Sequence, residues 1–264
     1  MSRLARELAE TTYFRRAKGT SMKIPLHSLA IALASLLSGA LAQGQNLFEA
    51  NEVSGNIYEF TANGGSSTFA SGLNGPDGLA FNSAGDLFVA ELFSANIYEF
   101  TPGGARSTFA SGLSLPVALA FNSAGDLFET DLGSNSILEF TPNGGSSTFA
   151  SGLRWPMGLA FNNAGNLFVA DAVVGNIYEF TPNGTGSTFA SGLNTPAGLA
   201  FNSAGNLFVW ADGNIYEFTP NGGSSTFASV SDGQALAFQP IPEPSTWVLV
   251  GLGVIALLGV SRRN

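Results

Sequence analysis

One module of about 40 residues is copied five times along this chain of 264 residues, and this repeat constrains the fold more than any other feature. The segment Leu-Ala-Phe-Asn-x-Ala-Gly recurs with its phenylalanine at Phe81, Phe121, Phe161 and Phe201. Three further short apolar segments follow it in turn, ending in Leu-Phe, Glu-Phe and Thr-Phe-Ala. A fixed period near 40 residues with four strand-like segments is typical of a β-propeller blade. We therefore predict an all-β fold, a five-bladed β-propeller of four-stranded repeats, over residues 43–240.

The copy at 77–110 illustrates the predicted blade. Its strands a, b, c and d are predicted at 78–81, 87–90, 97–100 and 107–110. Turns rich in Gly, Asn and Pro separate a from b and c from d, because these residues favour the backbone angles of tight turns. Apolar residues lie on both faces of each strand, as expected for a sheet covered on both sides. The repeated aromatic residues are predicted to pack between blades.

The two ends of the repeat array predict how the ring closes. The first copy begins at Asn46 and contains strands b, c and d but no strand a, whereas residues 234–238 form an a-type strand with nothing after it. Pairing of 234–238 with the first copy would complete five blades and hide edges prone to aggregation.

The chain starts with a predicted export signal. Residues 22–42 contain Lys23, an uncharged apolar stretch and the small residues Ala40 and Ala42, which together are typical of a signal peptide with a cleavage site after Ala42. A short signal helix is expected there. Residues 1–21 are either an extension of the leader or the result of a start site assigned too early.

The chain ends with a three-part tail over residues 241–264. Pro242, Glu243 and Pro244 precede an uncharged run at 245–261, and Arg262 and Arg263 follow it. Seventeen residues approach the length needed for a transmembrane helix, and the two arginines would hold its end in the cytoplasm. This tail resembles the PEP-CTERM sorting signal of Gram-negative bacteria. The resemblance implies export, processing by an exosortase, and a destination in the envelope or matrix of a polysaccharide-secreting cell. A plain C-terminal membrane anchor is the alternative.

Composition excludes several chemistries. The chain has no Cys, and its single histidine, His27, lies in the predicted signal peptide. Disulfides, thiolate metal sites and catalysis by an imidazole base are therefore not expected in the mature protein. Residues 43–241 contain 16 acidic and two basic residues, a formal charge of −14. This charge disfavours nucleic-acid partners and favours cations.

The segment from Pro156 to Phe180 resembles the NHL repeat and the related gluconolactonase-like and virginiamycin B lyase-like propellers. This resemblance covers residues 46–238 and implies the propeller fold. It carries little information on function, because propellers serve many functions. The lyases depend on histidine, which the mature chain lacks, and the metal ligands of the lactonases could not be matched to particular residues.

The copies predict two different faces of the propeller. The a–b and c–d turns, which we call the framework face, hardly vary, whereas the b–c and d–a loops, which we call the diversified face, vary strongly. Binding sites often lie on loops that a rigid scaffold supports. The candidate ligand residues on the diversified face are Glu91, Asp131, Asp171, Asp212, Trp155 and Trp210.

Each set of candidate residues has two interpretations. The carboxylates either form a ring of Ca²⁺ ligands at the channel mouth or cap their own loops by accepting backbone N–H groups. The two tryptophans, with Met157, either stack on sugars or fill gaps beside small neighbours.

We expect a binding or scaffold protein of the envelope or extracellular matrix that contacts the secretion machinery, the membrane through its tail, and extracellular polysaccharide or Ca²⁺. The alternatives are a metal-dependent hydrolase of the lactonase type and a matrix filler whose repeats supply only bulk.

Overall fold

A computed structural model of the chain describes residues 46–61 and 65–229 in full, and the backbone of 11–15 and 21–25. The predicted closing strand 234–238, the remainder of the signal segment and the sorting tail lie outside the described residues. The chain divides into two units, one comprising 1–46, 61–63 and 240–264, and the other comprising 47–60 and 64–239. In the first unit, β1 (Thr11–Arg15) pairs antiparallel with β2 (Ser21–Pro25).

The second unit is the predicted five-bladed β-propeller. Among its described residues, strands are the only regular secondary structure. Blade 1 has three described strands: β3 (Leu47–Asn51), β4 (Asn56–Phe60) and β5 (Ser66–Ala70). Blade 2 has β6 (Pro76–Phe81), β7 (Leu87–Glu91), β8 (Asn96–Phe100) and β9 (Arg106–Ser111). Blade 3 has β10 (Pro116–Phe121), β11 (Leu127–Asp131), β12 (Ser136–Phe140) and β13 (Ser146–Ser151). Blade 4 has β14 (Pro156–Phe161), β15 (Leu167–Asp171), β16 (Asn176–Phe180) and β17 (Gly186–Ala190). Blade 5 has β18 (Leu199–Phe201), β19 (Leu207–Ala211), β20 (Asn214–Phe218) and β21 (Ser224–Ser229).

Each blade is an antiparallel meander in which the second strand is the most buried. β7, β11 and β15 have all five residues buried. In the outer strands the Ser and Thr residues are exposed, whereas the Phe and Ala residues that follow them are half-buried. The burial pattern explains why these three b strands are mostly apolar on both faces, since each is covered by the blade before it and the blade after it.

Phenylalanine rings join consecutive blades in a repeated arrangement. Phe128 of blade 3 contacts Phe161 of blade 4 edge-to-face at 5.1 Å between ring centroids, and Phe149 contacts Phe180 at 5.9 Å. Equivalent pairs connect blades 1 and 2, 2 and 3, and 4 and 5. Each pair adds about 0.5–1.5 kcal/mol beyond the area that it buries. The predicted role of the aromatic residues between blades is therefore confirmed.

A membrane-crossing helix is not present among the described residues. The span predicted at 245–261 lies outside them and stays a prediction.

Candidate functional site

The framework face is built from two turns that repeat almost without change. In the a–b turn of blade 3, Oδ1 of Asn122 accepts hydrogen bonds from the backbone N–H groups of Ala124 and Asp126, both at 2.9 Å. The asparagines at the same position in blades 2, 4 and 5 make the same two bonds. A glycine at positive φ completes each of these turns, as at Gly125. This face is the same local structure copied around the ring.

The diversified face is held together by buried carboxylates. Oδ2 of Asp131 accepts a hydrogen bond from the backbone N–H of Ser114 in the d–a loop at 2.6 Å. Its other oxygen, Oδ1, accepts one from Ser134 in the b–c loop at 2.8 Å. Asp171 joins the corresponding loops of blade 4 through the N–H groups of Arg154 (2.7 Å) and Val174 (3.1 Å). These two carboxylates therefore fasten neighbouring loops to each other.

The other two predicted carboxylates behave differently. Glu91 is buried and accepts a hydrogen bond from the Ser94 hydroxyl of its own b–c loop. Asp212 is exposed and has a positive φ of 49°; the residue that occupies the end of strand b in blade 5 is Ala211. In blade 1 the same position is Asn51, which accepts a hydrogen bond from Ser54 N–H.

The oxygens of Asp131 and Asp171 are engaged by the backbone. Both oxygens of Asp131 and of Asp171 are directed to backbone donors of their own blades, and the side chains are buried. Within residues 46–61 and 65–229 the structure contains no group of three acidic or histidine side chains positioned to hold an ion. The arrangement is the one expected for loop capping.

Left-handed backbone conformations distinguish the diversified face from the framework face. All six described non-glycine residues with positive φ lie in its loops: Ala95, Leu115, Asn135, Trp155, Thr195 and Asp212. Three of them occupy one repeat position in the d–a loops, where blade 2 has Gly75 (φ 70°), and φ there is 64° at Leu115, 60° at Trp155 and 46° at Thr195. A left-handed conformation costs a non-glycine residue about 1–2 kcal/mol. The one signal of this strain in the sequence is that the position of Gly75 in blade 2 is Leu, Trp or Thr in blades 3, 4 and 5.

Trp155 is the most prominent of these residues. Its side chain is 56 % exposed. Its backbone is fixed on both sides, because its N–H donates to Oδ1 of Asn135 at 3.1 Å and its carbonyl accepts from Ala172 N–H at 3.0 Å. The protein therefore holds an indole toward solvent on a strained but firmly bonded backbone.

Further exposed apolar side chains belong to the same face. They are Val53, Phe93, Leu115, Val173 and Val174. Phe93 lies over Gly75, where an added Cβ would come within 2.5 Å of its ring. Trp210, by contrast, is half-buried, and its indole N–H is buried without a hydrogen-bond partner. It replaces the small residue found at this position of strand b in the other blades, so the structure does not place it with Trp155 as an exposed aromatic.

A cavity of about 710 Å³ is lined by the innermost strands of blades 2 to 5 and by β3 of blade 1. Two repeat positions of the innermost strands contribute to its wall. The first position is Asp77, Val117, Met157 and Ala197, and the second, two residues further along, is Leu79, Leu119, Leu159 and Leu199. Loss of hydration among neighbouring protein atoms raises the pKa of Asp77 to about 6, with a smaller contribution from the Glu52 carboxylate, although the side chain still reaches solvent. Met157 thus belongs to the cavity wall and not to the exposed surface around Trp155.

Glu129 is a polar residue that sequence reasoning missed. It is completely buried between blades 2 and 3, and both of its carboxylate oxygens lack a hydrogen-bond partner. Burial, followed by the nearby Asp131 carboxylate, raises the pKa of Glu129 to about 9. The same strand position is Val89, Val169 and Val209 in blades 2, 4 and 5. The sequence did contain a signal for it. Glu129 stands where blades 2, 4 and 5 have Val, and its partner on the neighbouring strand, Leu138, stands where those blades have Tyr.

Comparison with known proteins identifies the tail as a sorting motif and the fold as one shared with solved propellers. Residues 240–263 match the PEP-CTERM protein-sorting motif, so the chain carries a signal of exported, envelope-associated proteins that implies processing by an exosortase. No curated protein matches the chain.

Several solved structures share the propeller fold. Virginiamycin B lyase from Staphylococcus aureus is 16 % identical, with a TM-score of 0.63 over 76 % of this chain and 73 % of that one. A gluconolactonase from Xanthomonas campestris is 19 % identical, with a TM-score of 0.67 over 75 % of each chain. A chain of the nidogen/laminin complex is 20 % identical, with a TM-score of 0.68 over 74 % of this chain and 82 % of that one. The TM-scores establish a common fold, and the fold resemblance to lyase-like and gluconolactonase-like propellers is confirmed.

Proposed function

We propose that this chain is an exported binding protein of the cell envelope or extracellular matrix, and that its diversified face binds neutral polysaccharide. The observation that carries the proposal is Trp155, an exposed indole on a left-handed backbone at a position where another copy of the repeat has glycine. Strained backbone persists where the surrounding structure enforces it and is frequent at functional sites.

The chemistry of the face favours a sugar ligand. The indole of Trp155 offers a flat apolar surface suited to the C–H face of a pyranose ring, and Phe93 and Leu115 add apolar surface on neighbouring blades. Backbone groups of the surrounding loops can exchange hydrogen bonds with sugar hydroxyls. The formal charge of −14 over residues 43–241 disfavours a polyanionic glycan, so we expect an uncharged one.

The lactonase-type hydrolase is the weaker proposal. Such an enzyme needs several carboxylates converging on one reactive point. Asp131 and Asp171 instead bond to the loops of their own blades. Titration with CaCl₂ gives a direct check, because an ion that binds the folded state alone must raise the melting temperature. We expect no rise; a saturable rise lost in the Asp131→Asn variant would restore the metal-site hypothesis.

Glycan binding is tested by affinity electrophoresis of the full chain in gels containing a soluble neutral glucan or, separately, a polyuronate. We expect retardation by the neutral glucan that Trp155→Ala reduces at least tenfold in apparent affinity. Phe227→Ala is the matched control, because Phe227 is an equally exposed aromatic (61 %) on the outer strand of blade 5, away from this face. Equal loss in both variants, or no retardation of the natural chain, would contradict the proposal and favour a matrix filler.

A further inference from the structure

The two loops of blade 4 at the diversified face expose side chains that the other blades do not combine. The d–a loop contributes Arg154 and Trp155, and the b–c loop contributes Val173 and Val174. We call these four residues the blade 4 loop pair. Blade 3 has two serines, a leucine and a glycine at the same repeat positions: Ser114, Leu115, Gly133 and Ser134. Blade 4 therefore brings a cation, an indole and two branched aliphatic side chains to one place.

Four hydrogen bonds fix the backbone of the blade 4 loop pair. Oδ2 of the buried Asp171 accepts from Arg154 N–H at 2.7 Å, and its Oδ1 accepts from Val174 N–H at 3.1 Å. The carbonyls of Arg154 and Trp155 accept from N–H groups of the b–c loop at 3.2 and 3.0 Å. Because these bonds use backbone atoms of the two loops, the four exposed side chains stand next to one another on a fixed base.

Arg154 gives the blade 4 loop pair its hydrogen-bonding character. Residues 43–241 contain one other basic residue, Arg106, whose guanidinium lies 4.6 Å from the centre of the Tyr98 ring in blade 2. A guanidinium carries five N–H donors and no acceptor, so a ligand of Arg154 must present acceptor oxygens. The formal charge of −14 over residues 43–241 disfavours a ligand with many negative charges. An uncharged carbonyl oxygen meets both conditions.

We propose that the blade 4 loop pair binds an acetyl group carried by an otherwise neutral sugar. This inference rests on the proposed glycan binding and names the class of glycan, an N-acetylated or O-acetylated one. The sugar ring lies against the indole of Trp155. The acetyl carbonyl accepts hydrogen bonds from Arg154, and the acetyl methyl group packs on the two valines.

The side chains of the loop pair favour an acetyl group over a plain hydroxyl. An acetyl group carries a carbonyl oxygen and a methyl group on the same carbon, so it matches a donor-only cation beside an apolar surface. Val173 is 59 % exposed and Val174 is 42 % exposed, and contact with a methyl group removes this apolar surface from water. A hydroxyl would satisfy Arg154 but would leave the valines in water.

Calorimetric titration of the full chain tests the inference with two tetrasaccharides of the same linkage, one of glucose and one of N-acetylglucosamine. We expect the dissociation constant of the acetylated tetrasaccharide to be at least tenfold lower. A glucose tetrasaccharide carrying O-acetyl groups distinguishes an ester from an amide, and tighter binding of either acetylated sugar supports the inference. Equal constants for all three would overturn it and leave neutral-glycan binding intact, whereas binding of none would overturn both proposals.

Three variants locate the preference for acetyl groups. Arg154→Gln should weaken binding of the preferred acetylated tetrasaccharide at least fivefold and that of the glucose tetrasaccharide less than twofold. Val174→Ser, which copies the residue at this position in blade 3, should weaken the acetylated tetrasaccharide alone by at least threefold. Arg106→Gln is the matched control, because it removes the same charge from the outer strand of blade 2 and should change neither constant.

Melting temperatures separate binding from folding in these variants. We expect Arg154→Gln and Val174→Ser to melt with the natural chain, because the contacts that fasten these two loops come from the backbone of both residues. A preference for acetylated sugar that survives both substitutions would overturn the assignment to the blade 4 loop pair. Equal weakening by Arg154→Gln and Arg106→Gln would overturn it as well, since net charge alone would then explain the effect.

Discussion

The framework face and the diversified face are formed by opposite ends of the same strands, yet they use the backbone differently. At the framework face, glycine occupies the left-handed position of every described turn, as at Gly85, Gly125, Gly165 and Gly205. At the diversified face, Leu115, Trp155 and Thr195 adopt that conformation in the d–a loops. These three residues accept a backbone cost that Gly75 avoids in blade 2.

The d–a loops contain an internal control for this comparison. Three residues before the variable position, each loop has an invariant left-handed glycine: Gly72, Gly112, Gly152 and Gly192. No atom lies within 4 Å of a Cβ added at these positions, so space does not require glycine there. The left-handed backbone is therefore sufficient to explain glycine at the first position. At the second position of the same loop, three blades have a larger residue despite the same backbone conformation.

The largest predicted effect concerns blade 3, where divergence extends from the loops into the core at Glu129. The folded state keeps the Glu129 proton up to a pKa of about 9, whereas the unfolded chain releases it near 4.5. Folding stability must therefore fall as pH rises between these values, with a slope of up to about 1.4 kcal/mol per pH unit. Between pH 5 and pH 8 we expect the natural chain to lose about 3–4 kcal/mol relative to Glu129→Gln, measured by urea unfolding. Parallel pH profiles for the two proteins would show that Glu129 is not a buried neutral acid.

The next effect compares how the two faces are fastened. Asp131→Ala removes the buried carboxylate that accepts hydrogen bonds from two backbone N–H groups and should lower the free energy of unfolding by about 2–4 kcal/mol. Asn122→Ala, the matched change at the framework face, removes two bonds to a neutral acceptor and should lower it by about 1 kcal/mol. Asp131→Asn should retain most of the stability, because blade 1 has Asn51 at this position. If Asp131→Ala and Asn122→Ala lower the free energy of unfolding equally, the loops of the diversified face are not held more strongly than the turns of the framework face.

A smaller effect separates the two left-handed positions. Gly152→Ala should destabilise by about 1 kcal/mol, because it introduces a Cβ at a φ of 82°. At the variable position, both Trp155→Gly and Trp155→Ala lose the indole contacts, so they differ only in the Cβ. We expect Trp155→Gly to be the more stable variant by about 1 kcal/mol, because glycine adopts a positive φ without strain. If Trp155→Ala is the more stable variant, the backbone at residue 155 is not held in the left-handed conformation.

Sequence reasoning located the blades well because their pattern is repeated. The strands predicted at 78–81, 87–90, 97–100 and 107–110 are observed with ends extended by up to two residues. Strand positions follow from apolar periodicity and turn residues, which are local properties. The five-bladed architecture follows from the number of copies.

The candidate site was harder to predict because it depends on where side chains point. Sequence placed Asp131 and Asp171 at the ends of strands but left open whether their oxygens meet an ion or the backbone. The structure shows backbone donors from both loops, and one of these loops lies 17 residues away in the chain. Glu129 escaped attention because a single acidic residue inside a strand has no local signature, and its burial arises only from the packing of blade 2 against blade 3.

The most direct test of the account measures glucan affinity and folding stability together in Trp155→Gly. We expect a folded protein, with a free energy of unfolding within about 2 kcal/mol of the natural chain, whose affinity for neutral glucan falls at least tenfold. Undiminished affinity, or a loss of stability well above 2 kcal/mol, would contradict the account, because Trp155 would then be dispensable for binding or would serve mainly to hold the fold together.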